Sequence, residues 1–329
     1  MPKIVRFHTL GGPENLKLEE LPSRQLADGE VKLRVKAVGL NRAEYAFMQG
    51  LYLEQPELPS QIGYEAAGVV ESVGPGVDAS WVGKHVATVP GFSMSKNGVL
   101  GEEAIVPAAS LGEYPAKLSP TEAASIWMQY LTAYGALVTF GGLTRGDFVI
   151  ITAASSSVGL AAIQIVNDAG GVSIAATRKS TKRAELLALG AHHVIATEEE
   201  DLVAKVRDIT GGNGARLVFD PVAGPGIEKL AEAAAYHGIV FEYGRLDSRP
   251  TPFPLLGAFR KGLSIRAYSL NEIRRDPQLL KTAKQYVYDR LADGRFHPKI
   301  ARTFPLAQSA DAYRYLASNE QVGKVVITV

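Results

Sequence analysis

The chain has 329 residues, of which 46% are hydrophobic and 21% charged, with a formal net charge of +1. That composition suits a globular protein of about two domains and excludes a surface built to hold nucleic acid or an anionic membrane. There is no cysteine, which removes disulfides, thiolate nucleophiles and thiolate–zinc sites; with no apolar run of the ~18 residues that span a bilayer and no apolar signal core in MPKIVRFHTLGG, a cytoplasmic protein is expected.

Residues 1 to about 118 read as strands broken by Gly and Pro. Glu30–Val38, EVKLRVKAV, alternates with period two, as a half-buried strand does. Ala66–Val73 is a second strand, closed by Gly74-Pro75-Gly76, and His85–Val89 and Ala104–Val106 are shorter ones. At Ser119 the texture changes. Ser119 stands as an N-cap, Pro120 at the first helical position and Glu122 at the third.

From about 148 to 269 strands and helices alternate. Phe148–Ile151 is an unbroken apolar run, the mark of a strand buried on both faces of a parallel sheet. Ala153–Ser157 are all small. Val158–Ala169 carries apolar residues at helical spacing, Gly170-Gly171 stops it, and Val172–Ala176 is a second apolar strand. A helix Thr181–Leu189 capped by Ser180, a strand His193–Ala196, a helix Glu200–Ile209 and a strand Leu217–Asp220 follow. Then come a helix Gly226–Ala235, a strand Ile239–Tyr243 and a last strand Leu263–Tyr268. This rhythm predicts a doubly wound parallel sheet with right-handed crossovers. Ligands of such sheets bind at the carboxyl ends of the strands, which here hold Ala153–Ser157, Thr177-Arg178, Asp220–Gly224 and Tyr243-Gly244-Arg245. Pro277–Leu291 reads as a further amphipathic helix, and the tail returns to β-type sequence at Ala301–Phe304 and Val325–Val329.

The strand–turn–helix at 148–169 is where a dinucleotide fingerprint belongs. Its three glycine positions fall on Ala154, Ser156 and Gly159. What such a turn needs is lack of bulk, so that backbone amides at the helix start can approach a pyrophosphate. Ala and Ser meet that need, although the same residues also make an ordinary small-residue turn. Thr177 ends the second strand, where an acidic residue would hold the ribose 2′-hydroxyl of NAD. It is followed instead by Arg178, Lys179, Ser180 and Lys182. Cations in a first helical turn oppose the helix dipole, and a 2′-phosphate is the anion that makes sense of them.

Three stretches, GLNRAEYAFMQGLY at 39–52, GYEAAGVVESVGPGV at 63–77 and ITAASSSVGLAAIQI at 151–165, resemble the zinc-independent medium-chain dehydrogenase/reductases, in their quinone oxidoreductase-like and enoyl reductase-like branches. The resemblance covers nearly the whole chain. It implies an α/β protein: a Rossmann doubly wound parallel sheet at 123–269 and a chaperonin-10-like (GroES-like) β-barrel catalytic domain at 1–122, completed by 270–329. Zinc-dependent relatives place metal ligands at the positions of Asn41, Tyr64 and Met128, none of which suits zinc, and the six histidines show no ligand spacing. No metal is expected.

The reading that follows is an NADPH-dependent reductase moving hydride to a quinone or to the C=C of an α,β-unsaturated carbonyl or enoyl thioester. The alternatives are an enoyl-CoA-type reductase specifically, or a non-catalytic NADPH-binding protein. Tyr52 and Asn41 are the catalytic candidates. A phenol can donate to a developing enolate, and an amide to a carbonyl oxygen. Each also has a bland reading, Tyr52 as cleft wall and Asn41 as turn residue. Glu65 reads as mainly structural; Trp127, Met128 and Gln129 lie on the segment joining the domains and could line the pocket, though a Trp–Met pair is more often core. The cofactor set is Thr132, Ala154, Ser155, Ser156, Ser157, Val158, Gly159, Thr177, Arg178, Lys182, Tyr243, Gly244 and Arg245. Partners are a small-molecule substrate and, through Gly262–Tyr268 as an open sheet edge, a second copy in a homodimer.

Overall fold

Phe148–Ile151 forms a strand in the computed structural model, which describes residues 1–329. Val149, Ile150 and Ile151 are completely buried, as a strand covered on both faces requires. It lies inside a six-stranded parallel sheet. On one side come Val172–Thr177 and then His193–Ala196; on the other come Ala215–Asp220, Ala234–Glu242 and, at the edge, Ser264–Ala267. The order reverses between Phe148–Ile151 and Ala215–Asp220, so the topological switch point of a doubly wound sheet lies at their carboxyl ends. This sheet belongs to a unit spanning Gln129–Phe296.

The other unit combines Met1–Met128 with His297–Val329. Its hub is the strand Glu30–Gly39, whose buried residues alternate before the strand sinks fully at Ala37–Gly39. Glu65–Val73 pairs antiparallel along one side of it. On the other side Glu103–Pro107 covers its first half and Lys324–Thr328 its last residues. The C-terminal strand therefore completes this sheet. One apolar core, including Phe7, Leu33, Phe47, Tyr313 and Ile327, joins both pieces of chain. The capping box read at Ser119 is present: the Ser119 hydroxyl accepts from Glu122 N, and the Glu122 carboxylate accepts from Ser119 N at 2.8 Å.

The division falls at 128/129 and 296/297 rather than at the expected 122/123 and 269/270. The later return has a packing cause. Helix Pro277–Ala292 stays with the parallel-sheet unit, because Arg290 pairs with Asp168 at 2.5 Å and the Tyr286 ring sits 4.6 Å from that of Tyr134. Phe296 then stacks on Tyr130 with centroids 4.9 Å apart. Several helices escaped the sequence reading, among them Arg42–Met48, Trp127–Tyr134, Leu255–Lys261 and Ser309–Ser318. The helix expected at Thr181–Leu189 is a 3-10 turn Ser180–Lys182 followed by Arg183–Ala188.

Candidate active site

The turn after Phe148–Ile151 is tighter than small side chains alone require. Ala153 takes φ +45, and Ser156 N donates back to Ala153 O at 2.9 Å. Ser156 is the N-cap of helix Ser157–Asp168, its hydroxyl accepting from Gly159 N at 3.0 Å. A Cβ on Gly159 would stand 2.6 Å from Ala154 O, so glycine is needed for the helix to lie this close to the strand end. Ser155, Ser157 and Val158 remain half-buried at the helix start, while Ala154 is fully buried. The result is a short-side-chain cradle with helix amides above it, which fits a pyrophosphate.

Lys182 reaches this turn. Its Nζ donates to Ser155 Oγ at 3.0 Å, so the basic segment after Thr177 and the cradle form one surface. Thr177 is half-buried, and its carbonyl accepts from Thr197 N at 2.8 Å. Arg178 is exposed beside it. Arg183, by contrast, is tied to Glu200 and to Val194 O, and has a structural job. Thr132 is buried in helix Trp127–Tyr134.

At the switch point the loops after Ala215–Asp220 and Ala234–Glu242 are laced together. Tyr243 N donates to Asp220 O at 2.9 Å, Leu246 N to Pro221 O at 3.0 Å and Asp247 N to Val222 O at 2.9 Å. Asp220, fully buried, accepts from Thr152 Oγ1, from Val222 N at 3.0 Å and from Ala223 N at 2.8 Å. The Tyr243 ring stacks on Phe219 with centroids 3.9 Å apart, and a Cβ on Gly244 would meet Pro221 O at 2.8 Å. Arg245 is exposed. Glu242, not singled out from the sequence, is the register partner of Asp220. Burial first, and then the Asp220 charge, push its carboxyl up to about 9. An acid at the end of the otherwise apolar GIVFEYG stretch was the signal available.

In the other unit, Asn41 is the N-cap of helix Arg42–Met48, with a capping box to Glu44. Its amide is occupied: Nδ2 donates to Gly39 O at 3.0 Å and to Glu44 Oε1 at 3.2 Å, and Oδ1 accepts from Lys324 Nζ at 2.7 Å. Lys324, 1% exposed, also donates to Glu65 Oε2 at 2.6 Å, and Glu65 Oε1 accepts from Met128 N at 3.0 Å. Glu44 accepts further from Tyr64 N at 3.1 Å and from the Tyr313 hydroxyl at 2.8 Å. Desolvation raises the Glu44 carboxyl above its ordinary value despite these donors. Asn41, Tyr64 and Met128 thus meet around two carboxylates and one ammonium. Glu44, Lys324 and Tyr313 were not read from the sequence; a lysine opening the apolar strand Lys324–Thr328 was the visible hint. No grouping of His, Cys, Asp and Glu that could hold a metal ion is present.

Tyr52 is half-buried at the edge of this network. Its ring lies 6.3 Å from Tyr64, which lies 5.7 Å from Phe92, an aromatic ladder of edge contacts. Burial raises its hydroxyl above the ordinary phenol range, and a hydrogen bond from Tyr64 pulls the other way. The phenol therefore carries its proton at neutral pH and can donate it.

Residues 27–116 match a family profile described as an alcohol dehydrogenase GroES-like domain, and residues 189–327 one described as a zinc-binding dehydrogenase. The chain is 28% identical over 327 residues to a 2-haloacrylate reductase of a Burkholderia species, covering 98% of this chain and 97% of that one. It is 30% identical over 335 residues to the synaptic vesicle membrane protein VAT-1 homolog of Rattus norvegicus, covering 96% and 81%. Among solved structures, the Escherichia coli quinone oxidoreductase complexed with NADPH superposes with a TM-score of 0.92 at 28% identity, covering 99% of this chain and all 100% of that one. The fold and these relatives define a nicotinamide-type oxidoreductase. The chain belongs to the medium-chain dehydrogenase/reductase superfamily, in its quinone oxidoreductase-like branch. No helix is long and apolar enough to cross a membrane.

Proposed function

We propose that the protein is an NADPH-dependent, zinc-independent reductase of electron-poor small molecules, either quinones or the C=C of α,β-unsaturated carbonyl compounds. The observation that carries the reading is the Lys182–Ser155 contact, which joins a basic, non-acidic second-strand end to the pyrophosphate cradle. Ser156, Gly159 and the helix amides would hold the pyrophosphate, and Thr177, Arg178 and Lys182 the 2′-phosphate. A bound nicotinamide supplies hydride when it is reduced.

The chain's own part on the substrate is donation. Tyr52 presents a protonated hydroxyl to the oxygen, or to the carbon, that gains charge when the acceptor is reduced. Asn41, whose amide is spent on Gly39, Glu44 and Lys324, serves by holding the network behind Tyr64. The relative named for 2-haloacrylate is in favour of the C=C side of this pair, since an acrylate has its C=C conjugated to a carboxyl group. The protein acts as a homodimer, and its partner beyond the second copy is the small-molecule substrate.

The test is a turnover panel of quinones, enones and enoyl thioesters with NADPH and NADH. Oxidation of NADPH by one of these classes is the expected result. Tight NADPH binding with no turnover on any of them would instead favour a non-catalytic binding protein.

A further inference from the structure

The acid pair at the switch point is not used by the reading above. Asp220 and Glu242 are cross-strand partners on adjacent parallel strands, so their side chains leave the same face at about one strand spacing, ~4.8 Å between backbones. Asp220 has every near donor: the Thr152 hydroxyl and two loop amides. Both carboxyl oxygens of Glu242 are buried without a partner. Two buried carboxyls this close do not both ionise. The three donors are all spent on Asp220, and Glu242, with none, keeps its proton.

Other charged groups nearby do not alter this. On the Ser264–Ala267 strand the register partner of Glu242 is Ala267; Arg266 is opposite Phe241, so it leaves the other face, where it pairs with Glu272 and covers the Phe140 ring at 4.1 Å. On its own strand the neighbour is Tyr243, whose buried hydroxyl is raised well above the ordinary phenol range by desolvation and by these same two acids. Thr152, from the segment after Phe148–Ile151, is uncharged.

What Asp220 holds is the segment Pro221–Gly224. Its carboxylate binds the amides of Val222 and Ala223, and Ala223 sits at φ +59, a conformation an alanine keeps only when its surroundings impose it. Through Pro221 O and Val222 O the same segment holds Leu246 and Asp247, and so sets the course of Tyr243-Gly244-Arg245. We propose that Glu242 is a positioning residue for the dinucleotide: paired with Asp220 at the switch point, it keeps the proton that lets Asp220 hold the 221–224 and 243–247 loops in their binding conformation. The inference rests on the dinucleotide reading of this face.

The signature is in the alkaline range. Burial and the neighbouring Asp220 push the Glu242 carboxyl up to about 9. Below that value the loops are held and affinity is flat with respect to this group. Above it two adjacent carboxylates repel, the loops are released, and binding weakens by up to about tenfold per pH unit, the slope of one linked proton.

The experiment measures the NADPH dissociation constant by cofactor fluorescence across about pH 6 to about pH 10, for the intact wild-type protein and for Glu242→Gln, which has no proton to lose there. Wild type is expected to show an alkaline limb with its midpoint near 9, and the Gln variant to lack it. A wild-type curve flat to the end of the range, or the same limb in the Gln variant, overturns the proposal. Should the variant fold poorly by near-ultraviolet circular dichroism, the wild-type midpoint still decides: a midpoint above about 10 belongs to lysine and overturns it. Absence of NADPH and NADH binding to wild type at neutral pH fails earlier, and overturns the cofactor reading itself.

Discussion

Under the proposed function, Tyr52 would distinguish acceptors, because only some of them need a proton from the protein. Burial raises its hydroxyl above the ordinary phenol range, so it is protonated at neutral pH. Tyr52→Phe keeps the ring in the aromatic ladder and removes the donor alone. On enoyl substrates kcat should fall by roughly 10²-fold, the usual cost of a lost general acid or oxyanion donor. On quinones the loss should be small, since a reduced quinone can take its proton from water. Equal, small losses on both would return Tyr52 to a wall of the site. Arg178→Ala separates cofactors in the same way: KM for NADPH should rise roughly tenfold or more while KM for NADH holds, because only the former has the phosphate. Lys324 tests the network. It is the one ammonium between Asn41 and two buried carboxylates, and Lys324→Met leaves Glu65 uncompensated. Loss of one partner of such a pair costs ~3–5 kcal/mol, to be read in urea unfolding; adding Glu65→Gln should recover part of it. A change under ~1 kcal/mol would show the pair to be solvated in practice.

At the scale of elements, the parallel sheet was legible because buried strands write themselves as apolar runs: all of Phe148–Ile151, Ile174 to Ala176 within Val172–Thr177, and Leu217 to Phe219 within Ala215–Asp220. The tight turn after Phe148–Ile151 was legible from residue size alone. What periodicity could not show is why the turn works: a positive φ at Ala153 and a hydroxyl cap from Ser156 are properties of backbone and hydrogen bonding, not of pattern. Helix Arg42–Met48 was missed because it is two turns long, and helix Leu255–Lys261 because its apolar residues face outward, against the rule that reveals an amphipathic helix. The buried clusters were illegible for a different reason. Tyr313 reaches Glu44, and Lys324 reaches Glu65, only because helix Ser309–Ser318 and the last strand return to the first unit from far along the chain. The turn itself gives a graded prediction. Ser156→Ala removes a cap worth ~1 kcal/mol and should weaken NADPH binding only mildly. Gly159→Val puts a branched side chain where a Cβ already meets Ala154 O at 2.6 Å. It should push the helix off the strand and abolish binding, as titration of cofactor fluorescence would show. Equal binding by both variants would mean that the helix start is not the anion site.

The whole molecule divides at 128/129 and 296/297, where sequence texture pointed to 122/123 and 269/270. The change from strand-rich to alternating sequence marks where the fold type changes, but the unit ends where contacts end, and the ring stack of Tyr130 on Phe296 carries the second unit on to 296. The proposed homodimer rests on the opposite edge of the same unit. Ser264–Ala267 pairs on one side only, and its residues are half-buried or exposed. The helix just before it turns Leu255, Leu256 and Phe259 outward at 59%, 70% and 85% exposure, with Phe253 at 65% beside them. A monomer seldom shows so many large apolar side chains together, and an open edge strand is either covered or paired. One two-fold axis beside the edge meets both needs. It would set Ser264–Ala267 antiparallel to its copy, continue the sheet into the second subunit, and bring the two apolar helices into the same self-complementary interface. A stable interface of this kind buries ~800 Å² per partner. Light scattering of wild-type protein at micromolar concentration should give twice the chain mass of 35.2 kDa. Leu256→Glu with Phe259→Glu places two charges per subunit in that centre without touching the buried core, and should give the chain mass with the cofactor still bound. A wild-type monomer, or a dimer indifferent to both glutamates, would move the interface elsewhere or remove it.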